Sequence, residues 1–396
     1  MLFAITGVTG LLGRNFLLET IKNNKNNLSH IKFILFGRDH GSNSLKNRII
    51  TILEEELEEY IGDYQFNFNQ IYNWIGENTK FINYNLESPK LGISDDDLIY
   101  LKAQKIDFFI HIAALTNLWN DEKSKRDVRK INLVGTQNII QLAKSCNNIA
   151  EFVYVGTAYS CGKTYGDIKP DYVNLDQEFR SEYEKIKLQA EIEVRRFEKE
   201  SSQKCRYFRP SVICGRMIEE KFGRISKFDV FYGFGYALLG AKKNKISNIK
   251  NLISEKCDLD IRYQISFEHG LNIVPVDYCA KIMYQVCVND DQDRSFHLAH
   301  EKETSHKFYF QLILESLNIS GARAVEYYPH NQNKSEKFFY KIAGNVLSPY
   351  VNSPRINFDV SNINNKYIKL PEVEEAKNFK KLLKYATNHK YGLNHD

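Results

Sequence analysis

Short apolar runs alternate with amphipathic segments through the first half of the chain. Leu2–Thr6 (LFAIT) is apolar throughout, and residues 11–22 follow with Leu, Phe and Ile at helical spacing. Residues 30–36 (HIKFILF) predict a second strand and residues 44–61 a charged helix. A third strand is predicted at 81–86, after which Ser94 opens a helix with the S-x-x-D of a capping box. Residues 107–112 (DFFIHI), 151–155 (EFVYV) and 206–213 predict strands four to six, with helices between them at 128–145 and 179–200. Strand and helix alternating in this way predict βαβ units with right-handed crossovers, an α/β fold around a doubly wound parallel sheet.

The rhythm changes after about Gly215. Aromatic and Gly-rich sequence comes first, then a stretch at 302–396 rich in Asn, Lys and Tyr with helical pieces. At 396 residues the chain is long for one domain. The expected division is a dinucleotide-binding domain at 1–215, completed by parts of about 270–300, and a smaller C-terminal substrate-binding lobe formed by 216–269 and 301–396. Hydrophobic residues at 43% and charged residues at 26% exclude a wholly disordered or collagen-like chain. The net charge of +5 is weak over this length, and no Lys/Arg block is interleaved with aromatics, so no nucleic-acid partner is expected. The most apolar run, 228–241, is broken by Asp229 and three glycines, so no membrane span is expected; it fits either an acyl channel or core packing. The opening MLFAITG reads as a strand and not as a cleaved leader, and seven cysteines without a CxxC pair fit buried, reduced thiols. Both point to the cytoplasm.

Candidate chemistry begins at Thr6-Gly7-Val8-Thr9-Gly10-Leu11-Leu12-Gly13, a T-G-x-x-G-x-x-G that follows a strand and opens a helix. Such glycines allow a tight turn and let backbone approach a pyrophosphate held at the helix N-terminus, the Rossmann-type arrangement. The end of the second strand chooses the nucleotide. Phe36-Gly37-Arg38-Asp39 offers Arg38 to a 2′-phosphate, and Arg14, directly after the third glycine, offers a second positive charge. NADP(H) is therefore the expected cofactor, although Asp39 leaves room for NAD. No metal site is expected, since His297-Leu298-Ala299-His300 lacks a third ligand.

Tyr183 and Lys187 form a Y-x-x-x-K that puts both side chains on one helical face. A nearby ammonium, aided by the charge of an oxidised nicotinamide, favours the phenolate and lowers the tyrosine pKa, making Tyr183 a candidate acid–base. Thr157, in Val155-Gly156-Thr157-Ala158-Tyr159 at the end of the fifth strand, is a candidate oxyanion donor. His111-Ile112-Ala113-Ala114 ends the fourth strand with small residues, and Asn132-Leu133-Val134-Gly135-Thr136 lies on the next helix.

Taken in order, TGVTGLLG, HIAA, NLVGT, GTAYS, Y-x-x-x-K and Arg209-Pro210-Ser211-Val212 resemble the extended short-chain dehydrogenase/reductases over roughly 210 residues. Within them, Gly13-Arg14, the segment Leu86-Glu87-Ser88-Pro89-Lys90-Leu91-Gly92-Ile93-Ser94, the Thr-Ala-Tyr after strand five and Asn272-Ile273-Val274-Pro275-Val276-Asp277-Tyr278 are similar to two groups. These are the fatty acyl reductase (male-sterility) group and the thioester-reductase domains of carboxylic acid reductases and peptide synthetases. The resemblance implies Thr157, Tyr183 and Lys187 as catalytic residues. It implies Gly7, Thr9, Gly10, Leu12, Gly13, Arg14, Arg38, Asn85, Leu86, Ala113, Ala114, Asn132, Lys187 and Pro210, Ser211 and Val212 as the cofactor lining. One departure is Asn85, where the group carries Asp; it keeps a hydrogen-bonding edge for adenine without the charge. The implied activity is NADPH-dependent reduction of an acyl thioester, carried by CoA or a separate carrier protein, with either the aldehyde or, after a second turnover, the alcohol as end product. Nucleotide-sugar epimerases or dehydratases, other extended dehydrogenases and a catalytically silent NADP-binding protein are the alternatives.

Overall fold

Seven strands build one parallel sheet: β1 (Leu2–Thr6), β2 (Lys32–Gly37), β3 (Thr79–Asn83), β4 (Ile106–His111), β5 (Ile149–Val155), β6 (Cys205–Pro210) and β7 (Ser295–Leu298). The structure, a computed structural model, describes residues 1–63, 67–146, 148–246, 248–364 and 366–393; residues 394–396 of the expected lobe lie outside these. The order across the sheet is β3-β2-β1-β4-β5-β6-β7, with every neighbouring pair parallel. Both faces are buried, which is why these strands read as continuous apolar runs and not as alternating ones. Phe3, Ile5, Leu35 and Val153 point to one face, while Ala4, Ile34, Phe36 and Phe109 point to the other.

Helices α1 (Leu11–Asn24), α2 (Leu45–Ile61), α3 (Phe68–Asn78) and α8 (Val276–Val288) cover the first face. Helices α4 (Asp95–Ala103), α5 (residues 122–145, with a π turn at Arg129–Val134) and α6 (Glu182–Ser201) cover the second. The chain turns back on itself between β1 and β4, and the crevice at the carboxyl ends of these strands is the expected ligand position of such a sheet. Helices α7 (Tyr232–Lys243), α9 (His306–Ser316), α10 (residues 334–351, with a π turn at Tyr340–Gly344) and α11 (Ala376–Asn388) pack around a separate core that includes Phe234, Tyr309, Phe339 and Phe379.

Several boundaries differ from expectation. The third strand starts at Thr79 and ends at Asn83, because the chain turns at Asn85, whose N–H donates to Leu91 O at 2.8 Å. Helix α3 was not expected, although Phe68, Ile71, Tyr72 and Ile75 recur at helical spacing in its Asn-rich stretch. Helix α5 begins at Glu122 and not at 128, since Asp121 caps a solvated turn by accepting from Ser124 N at 3.0 Å. The sixth strand is two pieces. Pro210 has no N–H to give, and after it Ser211 N bonds Leu298 O while Val212–Cys214 leaves the main sheet to pair with Ile273–Pro275. Asp277, in the first turn of α8, accepts from the N–H groups of Met217, Ile218 and Glu219 at 2.7–3.1 Å and so ties the segment after Gly215 to that helix. His297 is buried with Nδ1 at 3.1 Å from Asp359 O, and His300 N donates to Asn272 Oδ1. All seven cysteines are free and buried. Among the described residues no helix is long and apolar enough to cross a membrane.

Candidate active site

The β1–α1 turn is built for close approach. Gly7 has φ +74°, and a Cβ there would lie 2.7 Å from the Ala113 backbone; one on Gly13 would lie 2.2 Å from Gly7 O. Gly10 N–H donates to Gly7 O at 2.9 Å, and Gly10 caps α1 without a side chain, leaving the first-turn N–H groups free for an anion. This turn forms one end of a cavity of about 460 Å³.

The cavity collects most of the residues singled out in the sequence. Gly7, Thr9, Gly10, Leu12 and Gly13 line it from the turn, Arg38 from the end of β2, and Asn85 and Leu86 from the segment after β3. Ala113 and Ala114 line it from the end of β4, and Pro210, Ser211 and Val212 from the end of β6. Thr157, Tyr183 and Lys187 line the same space. Ser211 Oγ is buried there without a partner, a hydroxyl left for a bound molecule.

Two expectations are corrected. Arg14 does not line the cavity: its guanidinium donates to Glu56 Oε1 and to Thr9 O, both at 2.8 Å. Glu56 is only 3% exposed and needs cationic partners, and Arg14 shares it with Arg216. Asn132 also faces away. Its carboxamide accepts from Leu115 N at 2.7 Å and donates to Leu115 O at 3.0 Å, so it braces the loop after β4 while its neighbour Ile131 lines the cavity.

The second positive charge comes instead from Arg48, in the first turn of α2. Its guanidinium donates to Arg38 O at 2.8 Å and to Thr9 Oγ1 at 3.0 Å. Burial first, then the Arg38 and Arg14 charges, lower the Arg48 pKa, the mark of a crowded cationic corner. Asp39 is turned out of the cavity and accepts from Leu45 N at 2.6 Å.

Helix α6 presents the Tyr/Lys pair. Ser181 caps the helix, and Tyr183 and Lys187 follow one turn apart. Lys187 Nζ donates to Val155 O at 2.8 Å and lies 4.6 Å from the centre of the Tyr154 ring. Thr157 is buried; its Oγ1 donates to Pro210 O at 3.4 Å and accepts from Tyr159 N at 3.3 Å. His111, at the end of β4, bridges Thr6 Oγ1 and Thr136 Oγ1 at 2.8 and 3.1 Å, and burial drops its pKa to about 3, so it is neutral.

In the cavity itself, burial sets the direction of both shifts. Burial pushes the Tyr183 phenol up to about 12, against a hydrogen bond from the Thr116 side chain that lowers it. Burial likewise brings Lys187 down to about 7, with Glu191 opposing. Burial is the largest influence on both groups, and it disfavours the charged form of each.

Sequence reasoning missed Arg48, Tyr84, Thr116, Asp229 and Tyr350, all of which line the cavity. Arg48 carried a legible signal, a cation one turn inside a helix that starts at the carboxyl edge of β2. Tyr350 carried none: it comes from the far end of α10, where its hydroxyl pairs with Ser181 Oγ at 2.9 Å.

Comparison with known proteins follows the same lines. The profile of the NAD-binding family described as "Male sterility protein" matches residues 5–283. The chain is 27% identical over 208 residues to probable fatty acyl-CoA reductase 5 of Arabidopsis thaliana, covering 51% of this chain and 40% of that one. It is 27% identical over 165 residues to fatty acyl-CoA reductase 1 of Mus musculus, covering 41% and 29%. It thus matches well under half the length of either relative. Among solved structures, the terminal R domain from the myxalamid PKS-NRPS biosynthetic pathway superposes with a TM-score of 0.72 at 18% identity, covering 99% of this chain and 91% of that domain. The dTDP-glucose 4,6-dehydratase of Bacillus anthracis superposes at 0.60 with 14% identity, covering 99% and 98%. At such identities these two structures speak for the fold alone.

Proposed function

The chain belongs to the Male sterility protein family, and from that premise we propose that it is an NADPH-dependent reductase of an acyl thioester, delivered by CoA or by a separate carrier protein. The observation that carries this reading is the convergence of Thr157, Tyr183 and Lys187 with the glycine turn in one cavity. The curated relatives matched in sequence are named as fatty acyl-CoA reductases, which supports the thioester over a sugar nucleotide.

The residues present fit a dinucleotide phosphate. The glycine cradle would be filled by any Cβ, Ser211 Oγ lacks a protein partner, and Arg38 with Arg48 offers paired cations for a 2′-phosphate. Asn85 and Leu86 border the adenine side, and Ala113 and Ala114 leave room for flat groups against the end of β4. When bound, the cofactor supplies hydride to the carbonyl carbon of the thioester. Thr157 Oγ1 and Tyr183 Oη hold the carbonyl oxygen, and Tyr183 passes its phenolic proton to it. Lys187 would hold the nicotinamide ribose and take part in returning a proton to Tyr183. The hemithioacetal so formed loses its thiol and leaves the aldehyde, and a second round on the aldehyde gives the alcohol.

The test is NADPH oxidation by the purified chain against acyl-CoAs, acyl-carrier thioesters, free aldehydes and sugar nucleotides. Oxidation with thioesters, releasing one thiol per aldehyde, is the expected result. Turnover of sugar nucleotides with none of thioesters would overturn the assignment.

A further inference from the structure

Beside the catalytic cavity lies a second one of about 330 Å³. The two share Leu115, Thr116, Leu118, Asp229 and Val230 as lining residues, and Thr116 is the residue whose side chain hydrogen-bonds Tyr183. The second cavity is walled mainly by carbon, with Trp119 from the loop after β4, Phe228 and Gly233 from the start of the lobe, and Ile342 and Leu347 from α10.

The glycines of α7 single out one position. A Cβ on Gly235 would strike the Tyr391 ring at 2.2 Å and one on Gly240 the Phe338 ring at 2.8 Å, so both are needed for close packing. A Cβ on Gly233 would meet nothing nearer than Leu347 Cδ1 at 3.8 Å, an ordinary contact. Glycine inside a helix is less favourable than alanine, so a glycine that packing does not require leaves its space to something else. Across the gap, the π turn at Tyr340–Gly344 adds a residue to α10 just where Ile342 and Ala343 meet the cavity.

We propose that this second cavity holds the hydrocarbon tail of the acyl group and that Gly233 sets the length of tail it accepts. The assignment deepens the thioester-reductase reading and rests on it for the identity of the ligand. The occupant is an acyl chain and not the pantetheine arm, because ten of the thirteen wall residues offer no side-chain polar atom except the Trp119 indole N–H, whereas the arm carries two amides that need partners.

Trp119 supplies a readout independent of turnover. The chain has two tryptophans, and Trp74 lies on α3 packed against the core, so Trp74→Phe leaves Trp119 as the sole tryptophan, excited selectively near the red edge of the absorption. In that full-length background, without nucleotide, Trp119 emission is titrated with CoA and with butyryl-, octanoyl- and dodecanoyl-CoA. The expected result is a tail-dependent change, with affinity rising by up to about fourfold per added methylene until the cavity is full. Gly233→Leu, and independently Ala343→Leu on the facing wall, should lower the dodecanoyl-to-butyryl affinity ratio by about tenfold or more. A Trp119 response to CoA alone equal to that with acyl-CoA overturns the proposal in favour of the pantetheine arm. A ratio unmoved by either variant also overturns it. NADPH oxidation with the same panel separates the two readings. Length-dependent binding without oxidation of NADPH defeats the reductase assignment and leaves the tail site standing, while oxidation that is indifferent to length and to both variants defeats the tail site alone.

Discussion

Replacing Arg48 by alanine should weaken NADPH far more than NADH. Arg48 is half-buried and held by two hydrogen bonds, to Arg38 O at 2.8 Å and Thr9 Oγ1 at 3.0 Å, so its guanidinium is already oriented before any ligand arrives. A charge-assisted hydrogen bond is worth about 1.5–3 kcal/mol, and partial exposure brings the expectation to the low end, about 1–2 kcal/mol, or roughly 5- to 30-fold in affinity. Loss of the Thr9 tether disturbs the glycine turn for both nucleotides equally, by a few tenths of a kcal/mol. Removing one of two adjacent guanidiniums also relieves their mutual repulsion, which favours NADH slightly. Calorimetric titration of the full chain with both nucleotides, at low and at physiological salt, reads the ratio directly, and the preference should shrink with salt. Arg48→Lys, which keeps the charge and loses the fork, should fall between wild type and alanine. Equal losses for NADPH and NADH would refute the reasoning and reduce Arg48 to a brace for Thr9.

Other expectations concern the catalytic groups. Tyr183→Phe should retain cofactor affinity while turnover drops by roughly 10²-fold or more, the range for a lost general acid; wild-type turnover in this variant would remove Tyr183 from the mechanism. Lys187 has a folded-state pKa of about 7, below the ordinary lysine value, so between those two values the unfolded chain binds more protons and stability rises with pH. Urea midpoints measured from about pH 7.5 to 9.5 should show that rise in wild type and a flatter slope in Lys187→Met; parallel slopes would mean Lys187 is not desolvated. Burial pushes the Cys161 thiol up to about 12 and Cys214 well above its usual value, so neither is a nucleophile at neutral pH. Cys161→Ala and Cys214→Ala should keep thioester reduction, and an acyl group trapped on either sulfur would contradict that.

What the sequence made legible was the part governed by local rules. The strand Leu2–Thr6, the glycines after it and the Ser94 cap depend on neighbours a few residues away, and their side chains declare them. The lining residues from Gly7 to Val212 were legible for a related reason, since in an open parallel sheet the ends of consecutive strands meet along one edge. Arg14 and Asn132 misled because adjacency in sequence does not fix which side of a helix faces the ligand. Arg14 turns to the buried Glu56 and Asn132 to the backbone of Leu115. Residues brought in by long-range packing were invisible. Tyr350 reaches the cavity only because α10 closes over the α6 N-terminus, and nothing in its local sequence marks it.

The same distinction explains the charge state of the site. From spacing alone, a lysine one turn from a tyrosine stabilises the phenolate, a conclusion that assumes water around both groups. The fold removes the water. Tyr183 and Lys187 sit under the loop after β4 and the end of β5, and burial is the largest influence on each, raising the Tyr183 pKa and lowering that of Lys187. A phenol that keeps its proton near neutral pH is the form an acid needs at the start of carbonyl reduction. The opposite reaction, which requires phenolate first, would have to draw on the positive charge of an oxidised nicotinamide. The hydrogen bond from Thr116 opposes the upward shift that burial gives Tyr183.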